Sequence, residues 1–337
     1  MKSSLAALFL ISSLRCFAEN ETPARTPADG PFQPQLIAPG GIMLPLYPPT
    51  SPLLKRERLH EAENYNSATG GKGPITNVIN IHNPSIEVHL AGDRSLNGAA
   101  VIVAPGGGHK ILWVGPEGAD YAPLFDKLGV STIILRNRLR IDGYEPATDA
   151  VNDALQAIRL VRAHAAEWKL DPAKIGIVGF SAGAELSAPA GLFFEEFEKK
   201  NSDPSDPLAK VSARPDFVGV IYPGPTPFTK APETPIPVNV PPSFIACAGS
   251  GDRVHALWAT DYFTPMLKAS VPNLEMHIYG RGGHGVKRTG SDLIPYSTWV
   301  DRYVEWFRDL GFLGQPGVET KAAVDVAAFA KKKAVAK

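Results

Sequence analysis

Residues 179–183 hold a serine between two glycines, in the order Gly-Phe-Ser-Ala-Gly. They end the apolar run 175–180 and precede a stretch with helical spacing, which is the strand–turn–helix setting of a nucleophile elbow. Such a turn strains the serine backbone and exposes its hydroxyl at the C-terminal edge of a sheet. Ser181 is therefore a candidate nucleophile, although so short a pattern is weak alone in a chain with 31 glycines.

A candidate base for Ser181 lies in the glycine-rich loop 280–285. A serine hydroxyl is a poor nucleophile at neutral pH and needs a base within hydrogen-bond reach. His284 is flanked by glycines just beyond a strand-like run, downstream of Ser181. We interpret five other histidines as structural or solvated, namely His60, His82, His89, His164 and His277.

A candidate acid follows the apolar run 243–248, in a short turn of Gly and Ser. Asp252 in such a turn often only caps the next helix. However, the chain order Ser181, Asp252, His284 is the order of the α/β hydrolases, and each of the three follows a strand-like run. We therefore predict that Asp252 orients the imidazole of His284 and stabilises its protonated form.

Donors for an oxyanion are predicted from two backbone segments. One is the N–H of Ala182, directly after the nucleophile, and the others are Gly107 and Gly108 in the sequence Pro-Gly-Gly-Gly-His at 105–109. Consecutive glycines leave their N–H groups unshielded. A phosphate-binding loop is the rival interpretation, but this loop completes neither G-x-x-x-x-G-K-[ST] nor G-x-G-x-x-G.

Composition narrows the range of partners. Lys plus Arg and Asp plus Glu both number 34, so the formal net charge is zero and gives no reason to expect nucleic acid or an anionic membrane as partner. The chain has no H-x-x-x-H or C-x-x-C pattern, so we predict no metal and no cofactor. The sequence leaves the oligomeric state open.

The elements that must position these residues alternate between strands and helices. Strand-like runs cover 86–90, 99–105, 130–135, 175–180, 217–222, 243–248 and 275–279, and the clearest helical patterns cover 148–168 and 297–310. Alternation of this kind predicts an α/β fold, with a mostly parallel central sheet and helices on both faces. Function in such sheets gathers at the C-terminal ends of the strands.

The ends of the chain differ from its middle. Residues 1–18 combine a short positive start, an apolar stretch and a final small residue, which predicts a signal peptide and a secreted or periplasmic protein with no membrane contact after cleavage. Residues 19–55 form a proline-rich leader in which regular structure is not expected. We predict a catalytic domain over 56–314 and a disordered Ala/Lys-rich tail over 315–337.

Several of these motifs together resemble a known family. They are 105–109, Pro-Glu-Gly at 116–118, the stretch 153–172, the strand and elbow at 175–183, and Gly-Gly-His-Gly at 282–285. Over roughly 40–312 the chain resembles secreted bacterial α/β-hydrolase esterases, and among them the acetyl xylan esterase and feruloyl esterase-like group. The resemblance implies an α/β-hydrolase fold and a Ser181–His284–Asp252 triad, and the proline-rich segment 223–242 is too short for a large helical cap domain. The resemblance also implies hydrolysis of short acyl or aryl esters on plant or algal polysaccharide through an acyl-enzyme.

The chain departs from this family near the site. The strand after the Pro-Glu-Gly motif ends in Arg-Asn-Arg-Leu at 136–139, where relatives usually carry Tyr before Arg-Leu, and the elbow continues to Glu185, where relatives often have His. Five residues on neighbouring loops are candidate substrate contacts: His109, Lys110, Trp113, His255 and Trp258. Ordinary packing is the alternative role for each of them.

Two other functions stay open. A serine peptidase of the prolyl-oligopeptidase type shares the topology, although such proteins join the hydrolase domain to a propeller and no segment here is long enough for one. A catalytically inactive hydrolase-fold protein that binds carbohydrate is the other alternative.

Overall fold

The protein is built around a central β-sheet. The computed structural model describes residues 30–69, 72–92, 97–285 and 294–335. The predicted signal peptide lies outside these residues. The strands are β1 (Ile42–Pro45), β2 (Asn64–Thr69), β3 (Lys72–Ile79), β4 (Ser85–His89), β5 (Ala100–Ala104), β6 (Ser131–Arg136), β7 (Ile175–Phe180), β8 (Val218–Ile221), β9 (Ser243–Ala248) and β10 (Glu275–Tyr279).

Eight strands form the main sheet, in the order β1-β4-β6-β5-β7-β8-β9-β10. The six strands from β6 to β10 in this order run parallel, whereas β1 and β4 join one edge antiparallel. The strands β5, β6, β7 and β9 are buried at every residue, as continuous apolar runs predict for strands covered on both faces. β2 and β3 form a separate two-stranded antiparallel sheet.

Seven helices flank the sheet in the described residues. They are α1 (Ala122–Lys127), α2 (Val151–Ala163), α3 (Ala184–Lys200), α4 (Pro227–Lys230), α5 (Arg253–Lys268), α6 (Trp299–Asp309) and α7 (Lys321–Val335). The helix predicted over 148–168 is shorter, because a π-helical turn at Pro146–Ala150 precedes α2 and loops follow it. The segment between β8 and β9 holds only the four-residue α4, so no large cap domain is inserted there.

Regular structure extends into both the predicted leader and the predicted tail, contrary to the expectation for these two segments. In the leader, β1 pairs with β4 and so extends the main sheet by one strand. In the tail, α7 forms where disorder was predicted, and it buries Ala322, Val326 and Phe329. These three residues recur at helical spacing, which gives the helix one apolar stripe that the Ala/Lys-rich composition obscures. None of the helices in the described residues has the length and apolar character needed to cross a bilayer.

Candidate active site

The elbow forms a tight connection between β7 and α3. Ser181 has a φ of 52°, in the left-handed region that few non-glycine residues adopt. It opens a 3-10 turn, Ser181–Gly183, that leads directly into α3. A Cβ added at Gly179 would lie closer to the Gly183 carbonyl than any real contact allows, so the turn requires glycine there. The fold therefore holds Ser181 in the strained geometry that the sequence pattern predicts.

Hydrogen bonds connect Ser181, His284 and Asp252 in one line. The Ser181 Oγ lies 2.8 Å from His284 Nε2, and His284 Nδ1 lies 2.8 Å from Asp252 Oδ2. Since a carboxylate only accepts, Nδ1–H donates to it and Nε2 faces the hydroxyl as an acceptor. Asp252 is buried, while the His284 side chain is 41% exposed. This arrangement lets the hydroxyl pass its proton to the imidazole as it attacks an electrophile.

The capping role of Asp252 finds no support in its contacts. Asp252 directly precedes α5, but its side chain makes no capping hydrogen bond to that helix. Both carboxylate oxygens accept instead from imidazole rings: Oδ2 from His284 and Oδ1 from His255, whose Nδ1 lies 2.5 Å away. Asp252 thus serves two histidines at once.

His255 lies in the first turn of α5, and its ring packs against that of His284 in a tilted arrangement. The two ring centres are 3.9 Å apart and the planes are inclined by 31°. Burial lowers the pKa of His255, the neighbouring His284 acts in the same direction, and Asp252 opposes them. A neutral His255 still donates through Nδ1–H without placing a second positive charge beside His284. The candidate contact Trp258 packs edge-on against His255, with ring centres 5.0 Å apart.

The glycine loop after β5 lies directly against the elbow. A Cβ added at Gly106 would lie 2.8 Å from Ser181 Cβ and 2.5 Å from the Phe180 carbonyl oxygen. Gly107 and Gly108 have φ angles of 131° and 63°, which favour glycine. Within the described residues, the N–H groups of Gly107, Gly108 and Ala182 donate to no protein acceptor. They are therefore free to bind a ligand oxygen.

A carboxylate that sequence reasoning did not assign fixes this loop. Glu117 Oε2 accepts the Gly106 N–H at 2.6 Å, and its Oε1 accepts the Tyr222 hydroxyl at 2.8 Å. Burial raises the pKa of Glu117, whereas these two bonds act in the opposite direction. The Tyr222 ring in turn packs edge-on against His284, with centres 5.2 Å apart. Glu117 and Tyr222 thus connect the glycine loop with the imidazole, and the Pro-Glu-Gly motif was the only sequence signal.

We expect Gly106→Ala to lower kcat/KM for a short aryl ester by about 100-fold, because displacement of a catalytic group by about 1 Å costs that much. The added methyl would push the loop away from Ser181 and break the bond to Glu117. Steady-state kinetics measure the loss. Gly280→Ala is the matched control, since a Cβ there meets open space. Equal activity of the two variants would contradict the close packing described here.

The remaining candidate contacts lie on the loop after the glycines. His109 is 4% exposed and has a φ of 58°, Lys110 is exposed, and Trp113 is 39% exposed. Across the elbow, Gly224 donates its N–H to the Ser181 carbonyl at 3.3 Å. The proline-rich segment between β8 and β9 therefore touches the elbow and borders the site.

A group of potential metal ligands coincides with these residues. Asp252, His255 and His284 each offer one ligand atom, and the three atoms lie within 4.8 Å of one another. The hydrogen bonds among the same three residues account for this geometry without an ion. A cation held by all three would compete with the bond between Asp252 and His284.

Solved structures with the same architecture place the chain in a fold family. One is an acetyl ester-xyloside bifunctional hydrolase from Caldicellulosiruptor lactoaceticus, which is 24% identical, with a TM-score of 0.64 over 81% of this chain and 98% of that one. Another is esterase 2 of Thermogutta terrifontis phosphoramylated by tabun, which is 20% identical, with a TM-score of 0.60 over 82% of this chain and 97% of that one. The protein has the α/β-hydrolase fold.

Sequence relatives narrow the resemblance. Residues 125–234, less than half of the chain, match the BD-FAE family model. An acetylxylan esterase from Xylanibacter ruminicola is 35% identical over 92 residues, which are 27% of this chain and 18% of that protein. Endo-1,4-beta-xylanase B from Butyrivibrio fibrisolvens is 28% identical over 42% of this chain and 21% of its own length. The chain spans about a fifth of these relatives, and the comparisons confirm the predicted resemblance to the acetyl xylan esterase-like group.

Proposed function

We propose that the protein is a serine carboxylic-ester hydrolase with Ser181 as nucleophile, His284 as base and Asp252 as orienting acid. The observation that carries the proposal is the hydrogen-bonded line from the Ser181 hydroxyl through His284 to buried Asp252. This is the geometry that makes an otherwise weak hydroxyl reactive. The position of Ser181 on a strained elbow after β7, where the residue is only half-buried, also supports this role.

Acylation begins when Ser181 Oγ attacks the ester carbonyl carbon. His284 Nε2 takes the hydroxyl proton, and Asp252 stabilises the imidazolium that forms. The carbonyl oxygen becomes negatively charged and binds the N–H groups of Gly107, Gly108 and Ala182, which have no other acceptor in the described structure. When the tetrahedral intermediate collapses, His284 returns the proton to the leaving alcohol and the acyl group stays on Ser181.

Deacylation repeats these steps with water. His284 removes a proton from the water as its oxygen attacks the acyl carbonyl, and the same backbone donors bind the new oxyanion. Collapse releases the acid and returns the proton to Ser181. His255 stays neutral and donates to Asp252 in both steps, so that the positive charge forms only on His284.

We propose short acyl groups on plant or algal polysaccharide as the substrate class, with aryl esters also accepted. The names of an acetylxylan esterase and an acetyl ester-xyloside hydrolase among the similar proteins support this choice. The lack of a cap between β8 and β9 leaves room for a polymer. We further propose that residues 1–18 are a signal peptide and that the enzyme is secreted or periplasmic.

Two measurements test the proposal. Acid release is measured from acetylated xylan, a feruloylated sugar, a short aryl ester and the matching peptide amide. A fluorophosphonate probe is then mapped by peptide mass spectrometry. We expect ester hydrolysis with covalent label on Ser181, as one structural relative is modified by an organophosphorus agent. Faster cleavage of the amide would favour a peptidase, and the absence of both label and acid release would favour an inactive carbohydrate-binding protein.

A further inference from the structure

Two polar groups beside the elbow face each other without hydrogen-bond partners. The buried His109 Nε2 makes no hydrogen bond within the described structure. It lies 3.5 Å from Glu185 Oε1, an approach that does not meet hydrogen-bond geometry. Glu185 is only 17% exposed and accepts no hydrogen bond from any described residue. Because a buried polar group without a partner is costly, the His109 Nε2 atom beside this carboxylate calls for a functional explanation.

The pair borders the position where an ester must bind. Glu185 lies in the first turn of α3, the helix that the elbow enters, and it contacts Gly224, whose N–H donates to the Ser181 carbonyl. His109 directly follows the proposed oxyanion donors Gly107 and Gly108. Gly224 packs so closely on Glu185 that any Cβ there would collide with the carboxylate. The chain therefore makes room for Glu185 between the elbow and the segment after β8.

The charges around His109 and Glu185 favour a neutral ligand over a charged one. Lys230 Nζ is 4.0 Å from Glu185 Oε2, too far for a hydrogen bond but close enough to disfavour a cationic ligand. Glu185 itself repels an anionic one. A carboxylate accepts, whereas a neutral imidazole nitrogen donates or accepts depending on its tautomer. A neutral hydroxyl satisfies both groups at once, because it donates to Glu185 and accepts from His109.

We propose that His109 and Glu185 form a subsite that binds a hydroxyl of the substrate's alcohol part, next to the scissile ester. The inference rests on the proposed esterase function and deepens it. Short acyl groups carry no hydroxyl, so the hydroxyl must come from the alcohol, as in a partly acetylated sugar. The subsite would make the enzyme prefer polyol esters over esters of simple alcohols.

Paired substrates measure this preference. One is an acetylated methyl xyloside with a free hydroxyl next to the acetyl group, and the other is its deoxy analogue. A hydrogen bond to a charged group predicts that the wild type favours the hydroxylated substrate by about 10- to 100-fold in kcat/KM. Glu185→Ala should remove most of this ratio. His109→Asn, which also tolerates a positive φ, should reduce it. Glu195→Ala, exposed on the same helix, should preserve it.

If Glu185 had a purely structural role, its replacement would give different results. Because Glu185 accepts no hydrogen bond within the described residues, Glu185→Ala should not lower the midpoint of thermal unfolding. An unchanged ratio in Glu185→Ala, or a lower midpoint with equal losses on both sugars, would overturn the subsite. If the wild type hydrolyses aryl acetate but treats both sugars alike, only the subsite fails. If it hydrolyses no ester and Ser181 takes no probe, the proposed function fails as well.

Discussion

Replacement of Ser181 with alanine is expected to lower kcat for a short aryl ester by at least about 10³-fold, as expected when a covalent nucleophile is removed and only the oxyanion donors and binding contacts remain. The variant keeps His284 and Asp252 but has no group that can form the acyl-enzyme. Burst-phase and steady-state release of the aryl alcohol measure the loss. The label from a fluorophosphonate probe should disappear with the activity.

A double variant tests whether Ser181 and His284 act as one catalytic unit. Ser181→Ala combined with His284→Ala should be no slower than Ser181→Ala alone, because a base has no function once its nucleophile is gone. Thermal unfolding of each variant checks that the fold is intact. Retained turnover in Ser181→Ala, or losses that multiply in the double variant, would contradict the assignment.

The three aligned residues could be predicted because topology alone brings them together. Ser181, Asp252 and His284 follow β7, β9 and β10, and parallel strands end at the same edge of a sheet. The sequence pattern matched β7, β9 and β10 residue for residue, since continuous apolar runs bounded by glycines mark buried strands clearly. The order of the three residues in the chain, and the position of each after a strand, were therefore enough to predict that they lie close together.

Contacts that depend on loop paths could not be predicted. Glu117 is 11 residues from Gly106 in the chain and 105 from Tyr222, and no periodicity indicates that one carboxylate bonds both. His255 was predicted as a substrate contact on a loop beside the catalytic groups, whereas it lies in the first turn of α5. In the folded protein its Nδ1 is hydrogen-bonded to the Asp252 carboxylate.

The sequence analysis did not predict β1 or α7, for a different reason. β1 lies in a proline-rich segment, where propensity argues against a strand, but an edge strand tolerates proline. α7 is rich in alanine and lysine, and its burial depends on three side chains that contact the rest of the protein. In both cases tertiary packing overrides local composition.

The double use of Asp252 makes it the most sensitive polar position in the site. Each carboxylate oxygen accepts from one imidazole, so an amide at this position can satisfy only one of the two in the same way. If its nitrogen faces His284, the imidazole must take the tautomer that has a proton on Nε2 and cannot accept one from Ser181. If its oxygen faces His284, the negative charge that stabilises the imidazolium is still lost.

Asp252→Asn is therefore expected to lower kcat by about 10³- to 10⁴-fold, with either orientation of the amide. Labelling of Ser181 by the fluorophosphonate should slow in parallel, because it needs the same activated hydroxyl. Asp261→Asn is the matched control, since Asp261 is exposed on the same helix and accepts from Thr229 through an oxygen that asparagine can supply. A loss of less than tenfold in Asp252→Asn would mean that Asp252 only begins α5 and that the Ser181–His284 pair works without a carboxylate.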